Sequence, residues 1–222
     1  MSLENFPPMP LVCPDISGMN QYTNILLIEN SVPDYQKVVD SVNDATLPIV
    51  YSIYSTKDEL LALLRANFTI IPRIGFFFLS SSGQAKQFLD REVFFIDNQT
   101  LHYKDNLQFI MNIITDFQVK NIDYFACNTL GYPNWKNYYA VLTSTGVTVG
   151  ASNDKTGNIK YGGDWVLEST RQDVEFLYFT KNIEYYTFLL DNPSPPPPPT
   201  PPPPPHYFIG NGYIKGKGYV VL

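Results

Sequence analysis

Histidine, cysteine and clustered positive charge are the scarce components of this sequence. Its 222 residues contain two histidines and two cysteines. Two thiols make no disulfide framework, which points to a reducing compartment. Two imidazoles leave few general bases for nucleophilic chemistry. The formal net charge is −6, and Lys and Arg form no cluster. That balance argues against a nucleic-acid surface and against an electrostatic membrane anchor. No run approaches the roughly 20 apolar residues of a membrane span, so membrane insertion is not expected. The opening residues, MSLENFPPMPLVCPDISG, lack the basic and apolar regions of a signal peptide. The sequence therefore predicts an intracellular or virion-associated protein.

Aromatic residues and proline are abundant. Apolar residues make up 44% of the chain and aromatics 15%, with 16 Tyr and 15 Phe. Such a chain can bury a substantial core. Eleven of the 19 prolines fall between positions 193 and 205. A run of that kind adopts extended polyproline II, a semi-rigid spacer of roughly 40 Å. By composition the chain divides into a Pro-containing lead (1–20, with Cys13), an α/β domain (21–191), a polyproline linker (192–205) and a Gly-rich β segment (206–222). The last reads as one or two strands, either an appendage or the start of a truncated second module.

Within 21–191, two periodicities alternate. Continuous apolar runs at Asn24 to Ile28, Pro48 to Ile53, Ile71 to Leu79, Ile122 to Ala126 and Val147 to Ala151 predict strands covered on both faces. Between them, TKDELLALLRANF opens with a capping box of Thr56 and Glu59. In YKDNLQFIMNIITDFQV, the residues Leu107, Ile110, Met111, Ile114 and Phe117 share one helical stripe. PNWKNYYAVLTSTG places Pro133 in a first turn and Gly146 at a C-terminal cap. The pattern predicts a mainly parallel sheet flanked by helices on both faces. EVFFIDNQTLHY reads as a small β-hairpin inserted near 92–103. GGDWVLES and VEFLYF read as a second strand pair.

Three segments carry a resemblance. ILLIENSVPDY (25–35), IDYFACNTLGY (122–132) and VGASNDKTGNIKYGGDWVLE (149–168) stand in the order of landmarks in the domain-of-unknown-function 4347 family, which the chain resembles over 24–168. That family is similar to the caspase and gingipain group of cysteine peptidases. The resemblance implies a caspase-like fold with Cys127 at the nucleophile position, after one central strand, and a Ser-His-Gly after the neighbouring one. This chain has Ser80, Ser81, Ser82 and Gly83 there. The histidine of the dyad is missing.

A thiol near its ordinary pKa is a few percent thiolate at neutral pH, and a serine hydroxyl neither deprotonates it nor stabilises its charge. Cys127 is therefore read as a small core residue in a degenerate site, with no catalytic residue. The alternative is a cysteine peptidase or self-processing domain in which His102 replaces the lost base. Asp154 and Asp164 mark a pocket near the cysteine loop, or turns in which they bond local amides. SNDKTGN alone supplies too few oxygens for a hard cation, so neither metal nor cofactor is expected. Tyr132, Tyr138, Tyr139, Tyr185 and Tyr186 are read as half-buried packing or as a contact surface. The expected function is a non-catalytic interaction or assembly module with a protein partner. A virion or surface structural component is a further alternative.

Overall fold

Strand runs without polar alternation have no face to give to water, and here both faces are covered. The computed structural model describes residues 22–81, 84–85, 88–92, 103–132, 134–191 and 220–221. Its first half comprises β1 (Asn24–Glu29), α1 (Tyr35–Ser41), β2 (Thr46–Tyr51), α2 (Lys57–Asn67), β3 (Arg73–Phe77), β4 (Ser80–Ser81) and β5 (Gln84–Ala85). There follow α3 (Tyr103–Phe117), β6 (Asn121–Phe125), α4 (Trp135–Thr143) and β7 (Thr148–Ala151). The remaining elements are β8 (Val166–Leu167), β9 (Gln172–Asp173), α5 (Glu175–Tyr178) and β10 (Val220–Val221).

The main sheet runs β10-β2-β1-β3-β6-β7, and every pairing in it is parallel. All six residues of β1 and of β2 are buried. Side chains alternate between faces with period two. Ile25 and Leu27 enter a core with Leu60 and Leu64 of α2, Ile110 and Phe117 of α3, and Leu142 of α4. Leu26 and Ile28 enter the opposite core with Val38 and Val39 of α1, Tyr178 of α5, and Phe179, Tyr186 and Leu190 beyond it. The fold is α/β, a parallel sheet flanked by helices on both faces.

Local chemistry sets the element ends. The Thr56 hydroxyl accepts from the Glu59 amide at 3.1 Å, and the Glu59 carboxylate accepts from the Thr56 amide at 2.8 Å, completing the capping box. After α4, Gly146 takes a left-handed φ of 84°, a conformation that costs glycine little. Gly150 in β7 allows a close approach: a Cβ there would lie 2.5 Å from Asp123 Oδ1. Asp123 Oδ2 accepts from Arg73 at 2.8 Å and from the Tyr178 hydroxyl at 2.8 Å, while Arg73 also reaches Gln172 at 3.2 Å. Burial pushes the Asp123 carboxyl up, and the Arg73 charge partly offsets that. This cluster clamps β9 and α5, and with them the segment that follows, onto the sheet.

Several expectations need correction. The strands are shifted or shorter than read: Ile71 to Leu79 contracts to Arg73–Phe77, and Pro48 to Ile53 moves to Thr46–Tyr51. VEFLYF is no strand, because Glu175–Tyr178 is a helical turn. Its buried residues Val174 and Tyr178 stand four apart, while Phe176 is 61% exposed. VLE pairs instead with Gln172–Asp173. Helix α1 was not foreseen from its short, β-branched sequence. Of the five tyrosines, Tyr132, Tyr138 and Tyr186 are buried and Tyr185 is exposed, so most of them pack inward. The hairpin near 92–103, Pro133 and the linker fall outside the described residues, apart from Glu92 and Tyr103 at the hairpin's edges.

Removing one partner of a buried ion pair strands the other charge, at about 3–5 kcal/mol, whereas replacing both with apolar groups is often near neutral. Arg73→Met is therefore expected to destabilise the domain more than the Arg73→Met/Asp123→Leu double variant does. Urea unfolding of both variants and the parent chain checks this. Thr56→Ala, which breaks the capping box, should cost about 1 kcal/mol, read as a fall in Tm of roughly 2–4 °C.

Candidate functional site

Strands β3 and β6 are parallel neighbours, with Phe77 opposite Phe125. Their continuations therefore leave the sheet side by side at its C-terminal edge, where α/β proteins assemble sites. Ser80 and Cys127 meet there. The Ser80 hydroxyl donates to the Cys127 carbonyl at 2.6 Å. Asn128 then turns the chain in a left-handed conformation (φ 53°) into a short 3₁₀ turn. A cleft of about 430 Å³ opens beside this junction, lined by Ser80, Cys127, Asn128, Asn153, Asp154, Lys155 and other residues.

The thiol itself is closed in. Cys127 is 4% exposed. Its sulfur accepts from the Thr156 amide at 3.2 Å, and its hydrogen points to the Thr156 carbonyl at 3.6 Å. Thr156 is held in turn by its hydroxyl, which donates to the Ala126 carbonyl at 3.1 Å. Burial pushes the Cys127 thiol up to about 12, and the Asp191 charge adds to the rise, against the Thr156 amide and the Lys155 ammonium. Burial also pushes the Tyr132 and Tyr186 phenols up. No histidine lies among the described residues, and His102 falls outside them.

A strap crosses the sheet top. Leu189 bridges Gly157 antiparallel, and the Leu190 amide donates to the Thr156 carbonyl at 3.0 Å. The Leu190 carbonyl accepts from the Ser80 amide at 3.0 Å and from the Cys127 amide at 3.4 Å. The Ser80 hydroxyl lies 3.3 Å from the same oxygen. Converging amides beside a thiol are what an acyl-transfer site offers to a substrate oxygen. Here a carbonyl of the same chain fills them.

The positions singled out in the sequence separate. Ser80 and Cys127 come together, and Asp154 lines the cleft. Ser81 lies in β4, paired with Gln84, and Ser82 is outside the described residues. Asp164 accepts from the Val166 amide at 2.9 Å and joins Asp154 and Glu168 in a carboxylate group whose oxygens lie within 4.8 Å of one another. Burial and then the neighbouring carboxylates push Asp164 up. Asp154 and Glu168 already accept from the Ser152 hydroxyl and the Asn153 amide. Together with the Val166 amide on Asp164, these bonds engage part of the six carboxylate oxygens the group carries. Leu190 and Asp191 were missed, and Thr156 was read only as part of the SNDKTGN loop. Leu190 follows Cys127 by 63 positions, and nothing in YYTFLLD marks it as a strap.

A family model for a domain of unknown function, DUF4347, matches residues 25–190. The chain belongs to the DUF4347 family. No curated protein and no solved structure matches it. The match runs to Leu190, so the strap belongs to the DUF4347 domain rather than to the proline-rich part. In this DUF4347 domain the sheet top therefore consists of a buried thiol, two occupied amides and an open cleft beside them.

A folded-state pKa raised to about 12 means that folding favours the thiol form. That contribution is fully present below the ordinary thiol value near 8.5 and is lost as pH rises through about 12. Iodoacetamide should modify Cys127 in the native chain at least about tenfold more slowly at pH 8 than in the urea-unfolded chain. Its rate should still climb above pH 9, where a free thiol levels off. Mass spectrometry of the Cys127 peptide reads both.

Proposed function

We propose that this chain is a non-catalytic interaction or assembly module that keeps the frame of a cysteine-peptidase-like site without its chemistry. The observation that carries the reading is the Leu190 carbonyl on the Ser80 and Cys127 amides, above a thiol held in its protonated form by burial. A substrate carbonyl would have to displace the strap, whose Leu190 side chain is itself buried in the core. The missing Ser-His-Gly histidine, by resemblance to the caspase and gingipain group, supports the same reading. So does a polar run, Ser80 to Ser82, where a base would be needed.

The partner of this module is a protein. A net charge of −6 disfavours nucleic acid, and no helix among the described residues is long and apolar enough to cross a membrane. A free buried cysteine fits an intracellular or virion-associated setting. A virion or surface structural role would use the same module as a building part.

One observation favours a rival reading, self-processing. The donor pair that holds Leu190 would polarise the Leu190–Asp191 peptide, with Cys127 close by. Cleavage there would release the proline-rich tail as a fragment beginning at Asp191.

The full chain is expected to show no turnover of Arg-, Lys- or Asp-containing peptides and an unchanged intact mass on prolonged incubation. Cys127→Ala should lower stability by about 1 kcal/mol and leave any self-association seen by light scattering intact. A fragment starting at Asp191 that appears in the parent chain and vanishes in Cys127→Ala would replace this reading with self-processing.

A further inference from the structure

A parallel sheet has two outer edges, and an open edge invites strands from other chains. This chain closes its two edges in different ways. At β7 the closure is local. The Ser169 hydroxyl donates to the Val149 carbonyl at 2.7 Å and accepts from the Ala151 amide at 2.8 Å. The Ser169 amide donates to the Ala151 carbonyl at 3.1 Å, so a residue just after β8 covers that edge. At β2 the closure is remote in sequence. Val220 and Val221 of β10 pair in parallel with Ile49 and Val50.

The hydrogen-bonding groups of β2 account for where β10 lies. The Ala45 and Tyr51 carbonyls accept from the Asn24 and Asn30 amides at 3.0 and 2.8 Å, so odd-numbered residues face β1. Strand alternation then turns Thr46, Pro48 and Val50 outward. The Thr46 amide already donates to the Asn43 carbonyl at 3.2 Å, and Pro48 has no amide hydrogen. Val50 is therefore the one donor β2 offers outward, beside three carbonyls. Such an edge pairs poorly with a second copy of itself, because each copy would set a proline against the other. It accepts a strand that brings its own amides. β10 does so with two β-branched residues, placed beside the one outward donor.

We propose that the outer edge of β2 is a docking site for a parallel, proline-free, β-branched strand, and that β10 of the same chain fills it. The site is an intramolecular latch. It ties the C-terminal end of the chain to the DUF4347 domain and excludes other strands while it is occupied. The pairing spans two residues, so a few bonds decide between a closed and an open edge. Neither the thiol nor the strap takes part, and the latch does not depend on the non-catalytic reading.

Hydrogen exchange and peptide binding on the full chain test it. The Val50 amide of the parent chain should be protected, since it faces outward and only β10 covers it. In the double variant Val220→Pro/Val221→Pro, which lacks both amide hydrogens of β10, that amide should exchange at least about tenfold faster. Amides of β1 should keep their protection, which separates an opened edge from unfolding. A labelled peptide of residues 213–222 should bind the variant at least about tenfold more tightly than the parent, whose own β10 competes for the site. Rapid exchange of Val50 in the parent overturns the proposal without any variant. Equal peptide binding by the two chains, or none by either, also overturns it. Light scattering on the parent should show a monomer. A dimer that the peptide dissociates would put the strand of a second copy in the site and overturn the in-chain latch. Turnover of peptide substrates would overturn only the non-catalytic reading.

Discussion

The organisation of this protein depends on one requirement, that the central parallel strands be dry on both faces. β1 and β2 have no residue exposed to water, so each face must be covered by something the chain supplies later. Three helices, α2, α3 and α4, cover one face with long apolar stripes. The other has only α1 and the short α5, and the shortfall is made up by the strands, 3₁₀ turn and irregular chain between Trp165 and Leu190. The strap arises from that shortfall. To cover Phe77, Phe125 and Cys127, the chain must run across the sheet top, and its backbone groups then need partners there. The free amides at the ends of β3 and β6 provide them.

The chemistry of the sheet top follows from this packing. A thiol that counts as part of a core is protonated, because burial penalises its charge and no imidazole among the described residues compensates. The Arg73–Asp123–Tyr178 cluster reinforces closure at a distance. It fixes α5 on the sheet, and the strap is the continuation of α5. Opening the site therefore means disturbing a core that contains Tyr178, Tyr186 and Leu190, not merely moving a surface loop. By contrast, the cleft lined by Asn128, Asn153, Asp154 and Lys155 lies open beside the thiol and does not require it.

The two ends of the main domain's boundary behave differently in physical terms. Leu190 is locked by backbone bonds to three residues, Ser80, Cys127 and Thr156. β10 is joined to the sheet by a two-residue pairing with Ile49 and Val50 of β2. Between them stands the proline run. The first of these contacts is the one that keeps the thiol covered.

Much of this could be read from residues alone. Unbroken apolar runs such as NILLIE and the stripe in YKDNLQFIMNIITDF have a period that dictates strand and helix, and the Thr56–Glu59 spacing dictates a capping box. The resemblance to the DUF4347 family, added to the apolar runs, brought Ser80 and Cys127 together, since it made their strands neighbours that end at one edge. Local logic failed at VEFLYF, where aromatic density suggested a strand but the burial of Val174 and Tyr178 selected a helical turn. It also passed over Leu190, because a carbonyl that seals two distant amides leaves no mark in its side chain. By itself the sequence determined which segments become dry strands and helices, and that Cys127 has no Ser-His-Gly partner. Only the tertiary structure decided that the thiol is sealed, because that depends on where backbone carbonyls fall once the second face of the sheet is covered.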